Sequence, residues 1–101
     1  MIALIFAATL QSGLVFGGLT SCASWLETPS NEAQGYQWII GFWSGRNIEA
    51  SFAGREFAQV GHSTDSAGIV GEVRLVCQAS PSKSLAGATI ETFNRFKAEN
   101  R

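Results

Sequence analysis

Tyr36-Gln-Trp-Ile-Ile-Gly-Phe-Trp-Ser-Gly-Arg-Asn47 holds the chain's only tyrosine, two of its three tryptophans and a Gly-x-x-x-Gly step. At helical spacing Tyr36, Trp38, Ile39, Ile40, Phe42 and Trp43 cover an apolar arc of roughly 200°, with Gln37, Gly41, Ser44 and Gly45 filling the remainder. An arc that wide predicts a central helix, residues 32–50, which the rest of the chain is built to cover. Gly41 and Gly45 lie one turn apart on the narrower face, and each costs about 1 kcal/mol of helix propensity against Ala, so the pair predicts a close backbone approach. Trp38, Phe42 and Trp43 are the candidate protein-binding residues; the competing reading is that aromatics at this spacing fill a core.

Upstream, residues 23–34 show no sustained period and read as a lead-in, with Trp25 and Leu26 docking on the core. Ser30 or Asn31 is the expected cap of the central helix, with Glu32 favourably placed in its first turn. Further upstream the chain changes character. Residues 1 to 26 carry no charged side chain, whereas all seven Lys and Arg and all eight Asp and Glu fall later. The apolar run from Ile2 to Phe16, followed by Gly17-Gly-Leu-Thr-Ser-Cys22, has the apolar middle and small-residue exit of a secretory signal peptide, although Met1-Ile-Ala lacks the usual basic start. Residues 1–21 are therefore expected to be a signal peptide or an uncleaved anchor, and residues 22–101 a single domain. The expected location is periplasmic or secreted, the alternative a membrane-anchored lipoprotein.

A domain of about 80 residues is marginal on its hydrophobic core alone. Two cysteines are present, Cys22 and Cys77. In an oxidising compartment they allow one intramolecular pairing, whose loop closure is worth roughly 4 kcal/mol. Leu19-Thr-Ser-Cys22 also resembles a bacterial lipobox, which would lipidate Cys22; two free thiols are the third possibility.

Downstream, residues 51–63 read as a loop interrupted by Gly54 and Gly61. Ser63-Thr-Asp65 offers caps for a helix over 66–79, striped by Ile69, Val70, Val73, Val76 and Cys77. Ser80-Pro81 predicts the start of a last helix over 81–98, with Leu85, Ala88, Thr89, Phe93 and Phe96 inward and a Glu91/Arg95 pair outward. The fold class is all-α, three main helices with one disulfide.

His62, Ser63 and Asp65 are adjacent in a loop and cannot adopt the convergent geometry of a nucleophile, base and orienting acid. The chain lacks Cys-x-x-Cys, His-x-x-x-His and a phosphate loop, so no catalytic residue, cofactor or metal is expected. A net charge of −1 with no basic stripe argues against nucleic acid. Expected partners are other proteins, with a possible homodimer; membrane contact is expected only if the N-terminal segment is retained or Cys22 is lipidated.

Two cysteines flanking an aromatic helix, followed by the junction Cys77-Gln-Ala-Ser-Pro81-Ser-Lys-Ser-Leu85-Ala-Gly-Ala, resemble the HdeA/HdeB-type periplasmic acid-stress chaperones over residues 22–97. That family is richer in Lys and Asp, and the Gly41/Gly45 step is foreign to it. The resemblance implies a small helical protein with a Cys22–Cys77 disulfide, dimeric near neutral pH, that exposes apolar surface in acid and holds unfolding clients without ATP. The chain is also similar to small secreted immunity proteins that neutralise type VI secretion effectors, which implies a binding module instead. A structural envelope protein is the third class.

Overall fold

The computed structural model describes residues 18–54 and 59–101. The expected leader, 1–21, lies outside the described residues except for its last four. Four helices follow: α1 (Cys22–Trp25), α2 (Pro29–Phe52), α3 (Ser66–Ala79) and α4 (Leu85–Ala98). The described residues contain no strand beyond an isolated antiparallel bridge between Ser21 and Ser84. No helix among them is long and apolar enough to cross a membrane.

The expected three helices are present, and the lead-in adds a short fourth. Two helix starts differ from the sequence reading, each for a visible reason. Helix α2 begins at Pro29, with Thr28 as cap: its Oγ1 accepts from the Asn31 N–H at 3.0 Å. Pro29 fits the first helical position, where its missing N–H costs nothing. Helix α4 begins at Leu85 instead of Pro81, capped by Ser84, whose Oγ accepts from Gly87 N–H at 2.9 Å. The carbonyls of Pro81 and Lys83 are taken by the lead-in, from Ala23 N–H at 3.0 Å and Cys22 N–H at 2.8 Å. A helix starting at Pro81 would have claimed both carbonyls for its own ladder.

The same pairing fixes the N-terminal edge of the fold. Leu85 N–H donates to the Thr20 carbonyl at 2.7 Å, and Ser21 caps α1 by accepting from Ser24 N–H at 3.0 Å. Cys22 is then held against Cys77 on α3 in a disulfide with a Cα–Cα distance of 4.9 Å. Both cysteines are buried. The bond leaves no thiol on Cys22 for a lipid, and the free-thiol alternative falls with it.

Cys22 and Trp25 of α1 meet Ile39 and Trp43 of α2, Ile69, Val70 and Val73 of α3, and Leu85, Phe93 and Phe96 of α4 in one core. Thr89 and Thr92 are fully buried, and each hydroxyl donates to the carbonyl four residues earlier, Leu85 and Ala88, at 2.8 Å. Neither polar group is stranded. The Trp25 ring, 1% exposed, lies over Gly35, and its Nε1–H donates to the Glu32 carbonyl at 3.1 Å. Burying such a ring contributes roughly 4–6 kcal/mol gross. Only a glycine permits it, since a Cβ at position 35 would stand 2.2 Å from the indole. The close approach expected at Gly41 and Gly45 is therefore found at Gly35; around Gly41 and Gly45 a Cβ would meet nothing within 4 Å.

Helix α2 ends at Phe52 and the chain returns through residues 59–65. Asn47 directs that return. Its Oδ1 accepts from Val60 N–H at 3.0 Å while its Nδ2 donates to Val60 C=O at 2.9 Å, as a paired strand would. Gly61 follows with φ +93°, a left-handed conformation costly for any residue with a Cβ. The part of the expected 51–63 loop that spans 55–58 lies outside the described residues.

Candidate functional site

Three candidate residues were drawn from α2, and the helix presents them differently. Trp43 is in the core, 3% exposed, with its Nε1–H donating to the Val60 carbonyl at 2.8 Å. Trp38 and Phe42 are half-buried at the edge of that core. They stack on each other with ring centroids 5.5 Å apart and planes 11° from parallel. Their four-residue spacing puts them on one face of the helix, which is why they meet.

Helix α4 completes the aromatic group. Phe93 meets Phe42 edge-on at 6.2 Å and Trp43 at 5.0 Å, and Phe96 meets Trp43 edge-on at 5.3 Å. Edge-to-face pairs of this kind contribute about 0.5–1.5 kcal/mol each beyond area burial. The result is an α2–α4 seam of five rings, buried at Trp43 and Phe96 and opening to half-exposure at Trp38 and Phe42.

Cations surround the seam. The Arg46 guanidinium lies 4.9 Å from the Phe93 ring centroid and 5.7 Å from that of Phe42. Arg95 and Arg101 lie over Phe96 at 5.8 and 4.0 Å. Arg95 is paired with Glu72 of α3 at 3.0 Å, and Arg101 with Glu99 at 3.1 Å. Arg95 therefore bridges to α3 and makes no pair with Glu91, the partner expected from their spacing; Glu91 is bound by Lys83. Arg46 was visible in the sequence as the residue four after Phe42. Arg101 was not: Asn100 at φ +57° turns the chain so that Arg101 N–H returns to the Phe96 carbonyl at 2.9 Å and its side chain covers that ring. Asparagine tolerates this helix-ending conformation better than most residues.

The disulfide is placed away from the seam. It joins α1 to α3, and that side has its own ion pair, Arg74 with Glu32 at 2.8 Å, with the Arg74 guanidinium 5.3 Å from the Trp25 ring centroid. No covalent bond ties α2 to α4.

The loop polar residues have structural roles. Asp65 caps α3 by accepting from Gly68 N–H at 2.9 Å, and Ser63 donates to the Arg101 carbonyl at 3.2 Å. His62 is exposed and lies with Asp65 along a groove of about 240 Å³ between α2 and residues 59–66. No cluster of His, Cys, Asp or Glu suited to a metal occurs among the described residues. Compared with known proteins, the chain matches no family profile, no curated protein and no solved structure.

Proposed function

We propose that this is a small exported protein whose function is to bind other proteins through the α2–α4 seam, and that acid opens the seam so that it holds unfolding clients without ATP, cofactor or metal. The observation that carries this reading is the charge balance around the rings. Three guanidinium groups border the seam, and the carboxylates that offset them are Glu72 and Glu99. Each exposed pair is worth about 0–1 kcal/mol at neutral pH. At pH 2 to 3 carboxylates as a class are largely protonated. The cations then repel one another, and the net charge of the chain moves from −1 to +8, the sum of seven Lys and Arg plus one His. Self-repulsion loosens a compact state, and here it acts where no covalent bond opposes it.

The disulfide supports the same reading in two ways. It is compatible with an oxidising compartment outside the cytosol. It also holds α1 to α3 while α2 lifts from α4, so the chain stays partly assembled and offers Trp38, Phe42 and Trp43 as a connected apolar surface. The resemblance to acid-stress chaperones points the same way, and a homodimer at neutral pH would be closed over the same residues.

A second reading is favoured by the half-exposure of the stacked Trp38 and Phe42 at neutral pH: a ready-made surface suits a module that binds one partner tightly, as an immunity protein does. One experiment separates them. An aggregation-prone client is acidified to pH 2 to 3 with and without the protein, then neutralised, and light scattering is followed. The holdase reading expects suppression in acid and little at pH 7. Unchanged aggregation in acid, or equal suppression at pH 7, refutes it and leaves the constitutive binding module.

A further inference from the structure

Every arginine among the described residues has its guanidinium over an aromatic ring, and three of the four sites are built alike. Arg74 covers Trp25 and pairs with Glu32 at 2.8 Å. Arg95 covers Phe96 and pairs with Glu72 at 3.0 Å. Arg101 covers the same ring and pairs with Glu99 at 3.1 Å. In each, a ring lies against the cation and a carboxylate meets its nitrogens, two interactions that a planar guanidinium can make at once.

Arg46 has only the ring half of this arrangement. Its guanidinium lies 4.9 Å from the Phe93 centroid and 5.7 Å from that of Phe42, yet among the described residues it forms no ion pair and donates no hydrogen bond. Glu49, one turn on along α2, is exposed and leaves it unpaired; a helix favours the acid before the base at such spacing, the reverse of this order. Lys97 likewise forms no ion pair among the described residues. It lies one turn beyond Phe93, but its place in the last turn of α4 also complements that helix's dipole. Arg46 lies more than a turn before the end of α2 and has no such role.

The tryptophans repeat the contrast. Trp25 and Trp43 each donate their Nε1–H to a backbone carbonyl, whereas that of Trp38 donates to no described residue. Trp38 is half-buried and stacked on Phe42. Trp38, Phe42 and Arg46 follow one another at four-residue spacing, so they form one line along α2, about 12 Å long. Ile90, 41% exposed and three residues before Phe93, borders the line on α4.

We propose that this line binds a segment of a partner protein carrying an apolar side chain and, two residues away, an Asp or Glu. The apolar side chain lies on the Trp38–Phe42 stack, the carboxylate accepts from the Arg46 guanidinium, and a backbone carbonyl of the segment accepts from Trp38 Nε1–H. The spacing comes from the distances. In an extended segment residues i and i+2 point the same way about 6.6 Å apart, close to the 5.7 Å between the Phe42 ring and Arg46 Cζ. An anionic membrane is a poorer match, because its recognition draws on about four to eight clustered basic residues and the line offers Arg46 with Lys97. The proposal rests on the seam being the protein-binding surface, as above, and names the chemistry of the partner.

The full chain, labelled with nitrogen-15, is titrated by NMR at pH 7 with a short blocked peptide in which aspartate follows phenylalanine by two residues, and with its asparagine counterpart. The aspartate peptide should shift the Trp38 indole and Arg46 side-chain N–H resonances saturably, and the asparagine peptide should bind about fivefold more weakly. Arg46→Gln, with its fold checked by circular dichroism, should abolish that difference, and Arg46→Lys should restore only part of it because an ammonium lacks the planar pair of donors. Equal binding of the two peptides overturns the carboxylate assignment while leaving the seam a binding surface. No shift at the seam from either peptide overturns the seam as a surface and the proposal with it. A difference that persists in Arg46→Gln places the carboxylate elsewhere and contradicts the site. Binding to phosphatidylglycerol vesicles that Arg46→Gln weakens, without preference between the peptides, assigns Arg46 to a lipid surface and overturns the proposal.

Discussion

Gly35 and Gly41 occupy the same helix, and an alanine at each should change stability in opposite directions. In a helix interior Gly→Ala is favourable by about 1 kcal/mol. At Gly41 nothing opposes that gain, because a Cβ meets no atom within 4 Å. At Gly35 the Cβ falls 2.2 Å from two atoms of the Trp25 indole and 3.1 Å from the Leu85 side chain. Unstrained carbon contacts begin near 3.5 Å, so the ring must move by about 1.3 Å. It has little freedom to do so, since its Nε1–H is bonded to the Glu32 carbonyl and Arg74 lies over its face. Expelling the ring costs as much as deleting it, about 3–5 kcal/mol, and subtracting the propensity gain leaves about 2–4 kcal/mol. For a domain of this size each kcal/mol shifts Tm by about 4–8 °C. Thermal unfolding followed by far-UV circular dichroism should therefore show Gly35→Ala roughly 8–32 °C below the wild type and Gly41→Ala about 4–8 °C above it. A Gly35→Ala protein as stable as the wild type would refute the packing of α1 on α2 described above, and a destabilised Gly41→Ala would refute the open space around Gly41.

Three other outcomes follow from the same contacts. Trp43→Ala should lose about 3–5 kcal/mol in urea unfolding, because the ring is enclosed by Phe93 and Phe96; a near-neutral result would place Trp43 on the surface. Asn47→Ala leaves the Val60 amide without its side-chain partner and should cost about 1–3 kcal/mol, with Asn47→Asp recovering only the bond accepted from Val60 N–H; equal stability of Asn47→Ala and the wild type would show that the 59–61 backbone does not depend on this clamp. Replacing both Cys22 and Cys77 with Ala should lower stability by about 4 kcal/mol on the chain-entropy account for a separation of 55 residues, and a change below about 1 kcal/mol would remove the disulfide from its role as a staple.

The main outline of the fold was legible because burial imposes a period on the sequence. Of the expected stripes, Ile69, Val70, Val73 and Cys77 of α3 and Leu85, Ala88, Thr89, Phe93 and Phe96 of α4 are buried, while Val76 is half-buried at the edge of the core. The cysteine pair was legible by count. What sequence spacing could not supply were contacts between distant segments. Pro81 is a sound helix-start signal, yet the lead-in takes its carbonyl and that of Lys83, and the helix waits until Ser84 can cap it. Gly41 and Gly45 drew attention because they form a familiar pattern, whereas Gly35, isolated in sequence, carries the tight contact. The seam was half-visible: Trp38, Phe42 and Trp43 stood out by composition, while Phe93 and Phe96 were read only as core. Arg95 adjoins Phe96 in sequence, whereas Arg101 reaches that ring only through the turn at Asn100.

Acid opening of the seam with retention of the disulfide-bonded half is tested most directly by the exchange of two indole protons. Trp43 Nε1–H, on the ring that Phe93 and Phe96 enclose, is bonded to the Val60 carbonyl, and Trp25 Nε1–H, on the short helix that carries Cys22, is bonded to the Glu32 carbonyl in the first turn of α2. Their protection from solvent can be followed by NMR in the unmodified protein at pH 7 and at about pH 3, each referenced to free indole at the same pH. The account predicts that acid abolishes protection of Trp43 while Trp25 remains protected. Protection of both at the lower pH, or its simultaneous loss at both, would contradict it.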